Sequence, residues 1–383
     1  MIGPFMDWVA DATWWVPGTA RTPFLWGRVK RYEVGRAYVI LARMKLALKI
    51  TPQRSTQYAT MTAALAAPEL LASPLRAAIH DLVPTTLAGQ DYLLATVDDN
   101  CLESELMHAI LSRLGAISEV YEYFERVGEE PGPFLRPLEP HFTPFVPLEM
   151  AEARRYRGKT NEIFTRVLLN VALFAGQYGE QCTTRLRILD PLAGGGTTLF
   201  LALADGYDAF GIEHERQDVE TTSVFVRQYL EGEHIPHKEI DERGRRAGRR
   251  YQFEIGRKGE RKDTRHLVLV NGDTCEADVH LREVPGGSRV HAIVGDLPYG
   301  IQHFSEVAAL LKRALPVWER LLLPGGTLAL AWNATRIERA EIVGLVEQHS
   351  GLHVRDDPPY TQFAHAVDRV IKRRDILVGI KAP

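Results

Sequence analysis

The run Asp190-Pro-Leu-Ala-Gly-Gly-Gly-Thr-Thr-Leu199 decides how this chain is read. It follows the apolar stretch Leu186-Arg-Ile-Leu189, and three consecutive glycines ahead of Thr197 predict a strand that turns sharply into a helix. Gly194, Gly195 and Gly196 let the backbone approach a ligand closely. A helix starting near Thr197 offers unpaired N–H groups and a positive dipole end to a carboxylate or phosphate. Asp190, Pro191, Ala193, the three glycines and Thr197 are therefore the candidate cofactor loop. A glycine turn by itself serves a dinucleotide equally well, or is simply structural, so its neighbours must decide.

Working outward, strand-like segments recur at Leu186–Asp190, Ala209–Glu213, His266–Asn271, His291–Asp296, Thr327–Trp332 and Asp375–Ile380. Helix-like stretches such as Thr197–Ala204 and Phe304–Leu322 lie between several of them, and Pro324-Gly-Gly326 is expected to close the long helix before the next strand. This alternation predicts an α/β fold with a mostly parallel sheet covered by helices, binding its ligand at the carboxyl ends of the strands. Glu213 would end the second strand, where a carboxylate accepts the hydroxyls of a ribose. Asp273 closes the third and is a candidate acceptor for an adenine amino group. Lys159–Gly176 reads as one amphipathic helix with Thr160 as its N-cap.

The fourth strand ends in Asp296-Leu-Pro-Tyr-Gly300. Glycine loop and tetrapeptide, in this order, resemble the S-adenosylmethionine (SAM)-dependent methyltransferases that modify an exocyclic amine of a nucleic-acid base. That family carries Asp/Asn-Pro-Pro-Tyr/Phe, and this chain departs from it at Leu297. The Asp-Leu-Pro-aromatic-Gly form, and the order of pocket helix, loop and tetrapeptide, are similar to those of the THUMP-associated guanine-N2 tRNA methyltransferases. The resemblance covers residues 150–383 and implies a Rossmann-like methyltransferase domain with a seven-stranded sheet, SAM as cofactor, and Asp190 serving the loop backbone and the methionine amino group. It implies a guanine N2 amine in tRNA or another structured RNA as target. A DNA adenine-N6 or cytosine-N4 methyltransferase, and a non-catalytic RNA-binding protein with a degenerate fold, are the alternatives.

The chemistry gives each residue of the tetrapeptide a role. The lone pair of an aromatic amine is delocalised into its ring. Accepting hydrogen bonds from both amine hydrogens pulls the nitrogen toward tetrahedral, and Asp296 and the backbone carbonyl of Leu297 are the candidate acceptors. Pro298 stiffens the turn and Tyr299 stacks on the base.

Of 383 residues 45% are hydrophobic and 25% charged, an ordinary globular composition, and the net charge of −3 requires any nucleic-acid surface to be local. No apolar run reaches membrane-spanning length, the first residues lack a signal-peptide pattern, and Cys101, Cys182 and Cys275 form no paired motif. A cytoplasmic protein with no membrane or metal partner is expected. Four of the six tryptophans fall within the first 26 residues, where stacking on bases and packing are both open. Tyr38–Arg43, Asp91–Val97 and Val120–Phe124 read as strands and Glu103–Leu114 as a helix, a small α+β unit. Six prolines among residues 131–147 have linker composition and place a domain boundary at 140: an accessory unit of 1–140, a candidate for RNA binding, and a methyltransferase domain of 141–383.

Nucleic acid is expected along Arg243–Arg265, which holds ten basic residues and three acidic ones. Arg245, Arg246, Arg249, Arg250, Arg257 and Lys258 are the candidate phosphate contacts of a basic-tipped hairpin or loop. Near the end of the chain, Lys372-Arg-Arg374 is either a basic strand edge beside the target or ordinary surface charge.

Overall fold

A computed structural model describes residues 30–34, 37–41, 43–53, 59–156, 158–242, 249–257, 259–298, 304–367 and 372–383. A hairpin of β1 (Lys30–Val34) and β2 (Ala37–Leu41) comes first. Next are β3 (Arg43–Ile50), α1 (Ala59–Ala72), β4 (Ile79–Leu87), β5 (Gln90–Asp98), α2 (Glu105–Leu111), β6 (Ile117–Val127) and β7 (Glu130–Pro137). These five strands form an antiparallel sheet in the order β4-β5-β3-β6-β7. Strands β3 to β6 with α1 and α2 make a split β-α-β-β-α-β unit, and α1 packs on its central strands. Leu46, Leu48, Leu93, Ala95 and Val97 alternate toward the buried face, which fixes the register. The proline-rich run is partly structured: Pro131, Pro133 and Pro137 belong to β7, the edge strand. An edge tolerates proline because a missing N–H there breaks no ladder on the outer side.

Past the short helix α3 (Glu149–Ala153) comes the long helix α4 (Glu162–Ala175). Its N-cap is Asn161, whose Oδ1 accepts the N–H groups of Ile163 (2.9 Å) and Phe164 (3.2 Å). Thr160, the residue expected to cap it, points elsewhere. The second sheet is built from β8 (Arg187–Asp190), α5 (Thr197–Ala204), β9 (Asp208–Glu213), α6 (Arg216–Gly232), β10 (His237–Glu242), β11 (Arg250–Arg257) and β12 (Glu260–Asn271). After α7 (Ala277–His280) it continues through β13 (Val290–Asp296), α8 (Phe304–Leu321), β14 (Leu322–Asn333), α9 (Arg339–His349), β15 (His353–Val354), β16 (His365–Ala366) and β17 (Arg373–Ile380).

The strand order is β10-β11-β12-β9-β8-β13-β14-β17-β15, with β16 also on β17. Strands β12, β9, β8, β13 and β14 are parallel, while β17 runs antiparallel to β14. This is the Rossmann-like arrangement of the methyltransferase fold. The sheet has ten strands and not seven, because β10 and β11 add two antiparallel strands beyond β12 and the short β16 pairs with β17; Tyr251, Phe253 and Ile255 bury the β10–β11 extension. Pro324-Gly-Gly326 lies inside β14, where residues 322–327 of β14 face only residues 290–292 of β13. Gly325, at φ +70°, makes this irregularity possible.

One continuous core joins the halves, with α1 packed on α4. At its centre the buried Glu69 carboxylate accepts the N–H groups of Gly115 (2.8 Å) and Ala116 (2.9 Å) and the Asn170 amide (2.7 Å).

Candidate active site

The order of the parallel strands reverses between β8 and β13. Their connections leave on opposite sides and open a crevice at the carboxyl ends, the position where such sheets bind ligands. The glycine loop leaves β8 at this point and Asp296 ends β13 beside it. Two segments a hundred residues apart in sequence meet there because each follows a strand flanking the switch.

The loop is held by its own backbone and by β9. Ala193 N–H donates to the Ile212 carbonyl (2.9 Å), and Gly196 N–H to the Ala193 carbonyl (2.8 Å). Gly194 (φ +49°) and Gly196 (φ +88°) occupy the left-handed region, and Gly196 is the N-cap residue of α5. Nothing lies within 4 Å of where a Gly194 side chain would begin, so the loop is bare backbone at this position. Gly211 of β9 must also be small, since a Cβ there would meet Leu199 at 2.5 Å. Asp190 Oδ1 accepts the Leu192 N–H (3.0 Å), and burial pushes this carboxyl up to about 7, with the nearby Asp296 and Glu213 charges adding to the shift. Pro191, Ala193 and Thr197 are buried within the same turn.

Glu213 ends β9 as expected. One carboxylate oxygen accepts the Gly194 N–H (2.8 Å) and the other the Glu215 N–H (2.8 Å), tying the second strand end to the glycine loop. Each oxygen retains a second lone pair for a ligand hydroxyl. Asp273 follows β12, accepts the Cys275 N–H (2.9 Å) and pairs with Arg313 of α8 (2.8 Å). These bonds, the Cys275 N–H foremost, hold its carboxyl below the usual range. Asp190, Glu213 and Asp273 thus stand at three successive carboxyl ends. The three positions fit a nucleoside cofactor bearing a cationic methionine tail: bare backbone at the loop, acids at the strand ends, and a helix N-terminus between them.

At the tetrapeptide, the Leu297 N–H donates to the Ala331 carbonyl (2.9 Å) and its side chain is buried, while Pro298 is exposed. Leu297 anchors the turn by packing, where the resembled family uses a proline. Tyr299 lies outside the described residues. The Asp296 carboxylate is engaged from two sides. Thr160 Oγ1 donates to its Oδ2 at 2.7 Å, and Arg374 of β17 forms an ion pair with the same oxygen. Burial pushes the Asp296 carboxyl above the usual range, while Arg374 and then Thr160 oppose the shift.

Three residues here escaped the sequence reading. Thr160 was assigned to a helix cap, one position before the residue that caps. Arg374 belonged to a run with two readings, surface charge or basic edge; it is 4% exposed and lies 4.0 Å over the Phe164 ring. Tyr156 carried no signal. Its ring covers Gly195 and its hydroxyl bonds Thr197 Oγ1 (2.9 Å), and burial pushes the phenol up to about 12.

The basic arm divides between the two edges of the sheet. Arg250 pairs with Val270 and the Arg249 carbonyl accepts the Asn271 N–H, so both stand at the carboxyl edge, with the crevice. Arg249 also pairs with Glu220 (2.7 Å) and lies over Tyr251. Arg257 sits at the opposite edge, over Phe145, where β11 turns into β12. Arg245, Arg246 and Lys258 lie outside the described residues. Among the described residues no helix is long and apolar enough to cross a membrane, and no group of three or more His, Cys, Asp or Glu is placed to hold a metal.

No protein-family model and no curated protein matches the sequence. Among solved structures the chain is similar to TrmN from Thermus thermophilus, at 14% identity over 88% of this chain and 99% of that one (TM-score 0.41). It is similar to an rRNA methylase from Streptococcus thermophilus, at 13% identity over 60% of this chain and all of the other (TM-score 0.32). A fibrillarin pre-rRNA processing protein of Methanococcus jannaschii aligns at 14% identity over 93% and 98% of the two chains (TM-score 0.30). At identities and scores this low the similarities add nothing to what the strand order already shows.

Proposed function

We propose that this chain transfers a methyl group from SAM to an exocyclic amine of a nucleic-acid base, guanine N2 in tRNA or another structured RNA. The observation that carries the reading is the placement of Asp296 beside the glycine loop at the switch point of the sheet. SAM would be held by Asp190, Pro191, Ala193, Gly194, Gly195, Gly196, Thr197, Glu213 and Asp273, and supplies a methyl carbon activated by a sulfonium. Asp296 accepts one amine hydrogen and the Leu297 carbonyl the other, which turns the nitrogen lone pair out of conjugation. Tyr299 stacks on the base. With SAM held at the loop and the amine at Asp296, the crevice would bring nitrogen and methyl carbon together in line, and positioning would supply most of the rate. The amine loses its proton after the bond has formed, and no strong base is needed first.

RNA is favoured over DNA by two features. Between β13 and β14 the chain holds α8 and no inserted recognition domain. The additional mass is the split β-α-β-β-α-β unit, an architecture shared with sheet platforms that bind RNA. Arg249 and Arg250, on the crevice edge, would contact phosphate together with Arg245 and Arg246.

The test is incubation with labelled SAM and total RNA or DNA from the source organism, followed by nucleoside analysis. Label is expected in N2-methylguanosine, lost in Asp296→Ala while calorimetry shows SAM still bound. Label in a DNA adenine or cytosine amine would replace the RNA reading. Near-normal turnover by Asp296→Ala would remove the mechanism.

A further inference from the structure

We propose that Arg374 and Thr160 are positioning residues for this reaction, together locking the Asp296 carboxylate in the orientation that receives the target amine; the inference rests on the role of Asp296 given above. Two donors from separate elements, one on β17 and one just before α4, converge on the same oxygen, Oδ2. A carboxylate held at one oxygen from two directions cannot rotate about its Cβ–Cγ bond without losing a bond. The amine hydrogen then meets an acceptor of fixed direction, and orientation is what a displacement at near-attack distance requires.

Arg374 is itself built in. Its backbone pairs with Asn333 of β14 on one side and His365 of β16 on the other. Its guanidinium lies on the Phe164 ring, and that ring is 5.2 Å from His365. The neighbouring Lys372 and Arg373 side chains are exposed, so the chain turns one of three consecutive cations inward and gives it a carboxylate. Burying a guanidinium is costly unless it is paired with good geometry. An arginine held by three strands and a ring against one carboxylate is a rigid support for that carboxylate.

The charge acts in the same direction as the geometry. Asp296 faces Arg374 from β17, Thr160 from the segment before α4, Asp190 from β8 and Tyr156 across the loop. Burial favours a protonated Asp296, which would present a donor in place of an acceptor; the Arg374 cation and the Thr160 hydrogen bond oppose that. A merely structural ion pair would alter stability and leave the pH profile of catalysis where it was. A positioning pair moves both rate and profile.

The experiment is single-turnover methylation of total RNA at saturating SAM, from pH 5 to 9, with SAM affinity by calorimetry and urea unfolding run alongside. Arg374→Gln should lower the rate about 100-fold and move the acid limb up by about 1–3 pH units. Arg374→Lys keeps the charge but not the fork, so its acid limb should stay near the wild-type position while the rate falls about tenfold. Thr160→Val should lose about tenfold for one hydrogen bond, and Thr160→Ser should recover it. SAM affinity should stay within about twofold throughout, since neither residue is assigned to the cofactor. If Arg374→Gln does not fold, the two Thr160 variants and Arg374→Lys carry the test. Folded variants with wild-type rates and an unmoved acid limb would overturn the inference while leaving the function intact. A wild-type protein that methylates neither RNA nor DNA would overturn the functional reading, and this inference with it.

Discussion

Replacing Gly195 by alanine probes the tightest contact of the glycine loop. A Cβ at Gly195 would lie 2.3, 2.4 and 2.5 Å from Cε1, Cζ and Cδ1 of Tyr156, whereas carbon atoms in good contact are about 3.5–4.0 Å apart. The Tyr156 ring must therefore retreat by about 1 Å or more. It cannot do so freely, because its hydroxyl bonds Thr197 Oγ1 at 2.9 Å and the Arg154 guanidinium lies 5.6 Å from its ring. Overpacking of this kind costs about 1–3 kcal/mol, and losing the Tyr156–Thr197 bond adds about 1 kcal/mol. Gly195→Ala should then lower unfolding stability by about 2–4 kcal/mol. Backbone strain contributes nothing, since Gly195, unlike Gly194 and Gly196, lies outside the left-handed region. The same substitution in a Tyr156→Ala background should be neutral or slightly stabilising, because alanine restricts the unfolded chain and now meets no ring. Urea unfolding of the four proteins in a double-mutant cycle gives the coupling, expected at about 2–4 kcal/mol. Equal costs in the two backgrounds would refute the claim that Tyr156 is what requires glycine at 195.

Three further outcomes follow from the same geometry. The Asp190 carboxyl is raised to about 7 in the folded state, so folding takes up a proton between the ordinary aspartate value near 3.8 and about 7, and stability falls as pH rises through that window. The difference between wild type and Asp190→Asn should slope by up to about 1.4 kcal/mol per pH unit there, and parallel curves would exclude it. Glu69→Ala leaves the Gly115 and Ala116 N–H groups and the Asn170 amide without their carboxylate acceptor and should cost about 3 kcal/mol or more; an unchanged urea midpoint would show that these bonds are dispensable. In filter binding to total RNA, Arg249→Ala/Arg250→Ala should reduce the salt slope by about one to two and Arg257→Ala should leave it unchanged, whereas equal effects would contradict the division of the arm between two edges.

The parallel sheet was legible because its signals are local. Asp190 to Thr197 carries strand end, glycine turn and helix start in eight consecutive residues, and the helix Thr197–Ala204 falls where the sequence placed it. Segments such as Ala292-Ile-Val294 are apolar throughout because both faces of the strand are covered. The basic stretch left a hairpin and a loop both open, and the hairpin is what forms, with β11 and β12 antiparallel and meeting at Arg257 and Glu260. What decides their structure is Tyr251, Phe253 and Ile255 at a spacing of two, which bury one face and make β11 a sheet strand whose ends carry the charges. The first half of the proline-rich run forms an edge strand despite its linker composition: composition reports which backbone donors are missing, whereas edge position decides whether their absence matters.

The support of Asp296 was not legible, because it is a property of the tertiary packing and not of any segment. Thr160 lies 136 residues before Asp296 and Arg374 lies 78 after it, and neither belongs to a motif. They meet because α4 crosses the sheet beneath the switch point. Successive positions of this helix serve different ends: Thr160 holds the carboxylate, Asn161 caps the helix, Phe164 supports Arg374, Arg166 pairs with the buried Asp205, and Asn170 engages Glu69 of the N-terminal unit. At a rise of 1.5 Å per residue, about 12 Å of helix separates Glu162, where α4 begins, from Asn170, which engages Glu69 of α1. The N-terminal unit and the proposed acceptor are thus braced by the same helix, which also meets that unit near its start, where Asn161 Nδ2 reaches Gln53 Oε1 at 3.5 Å. A substrate bound across both would be measured against a single rigid element.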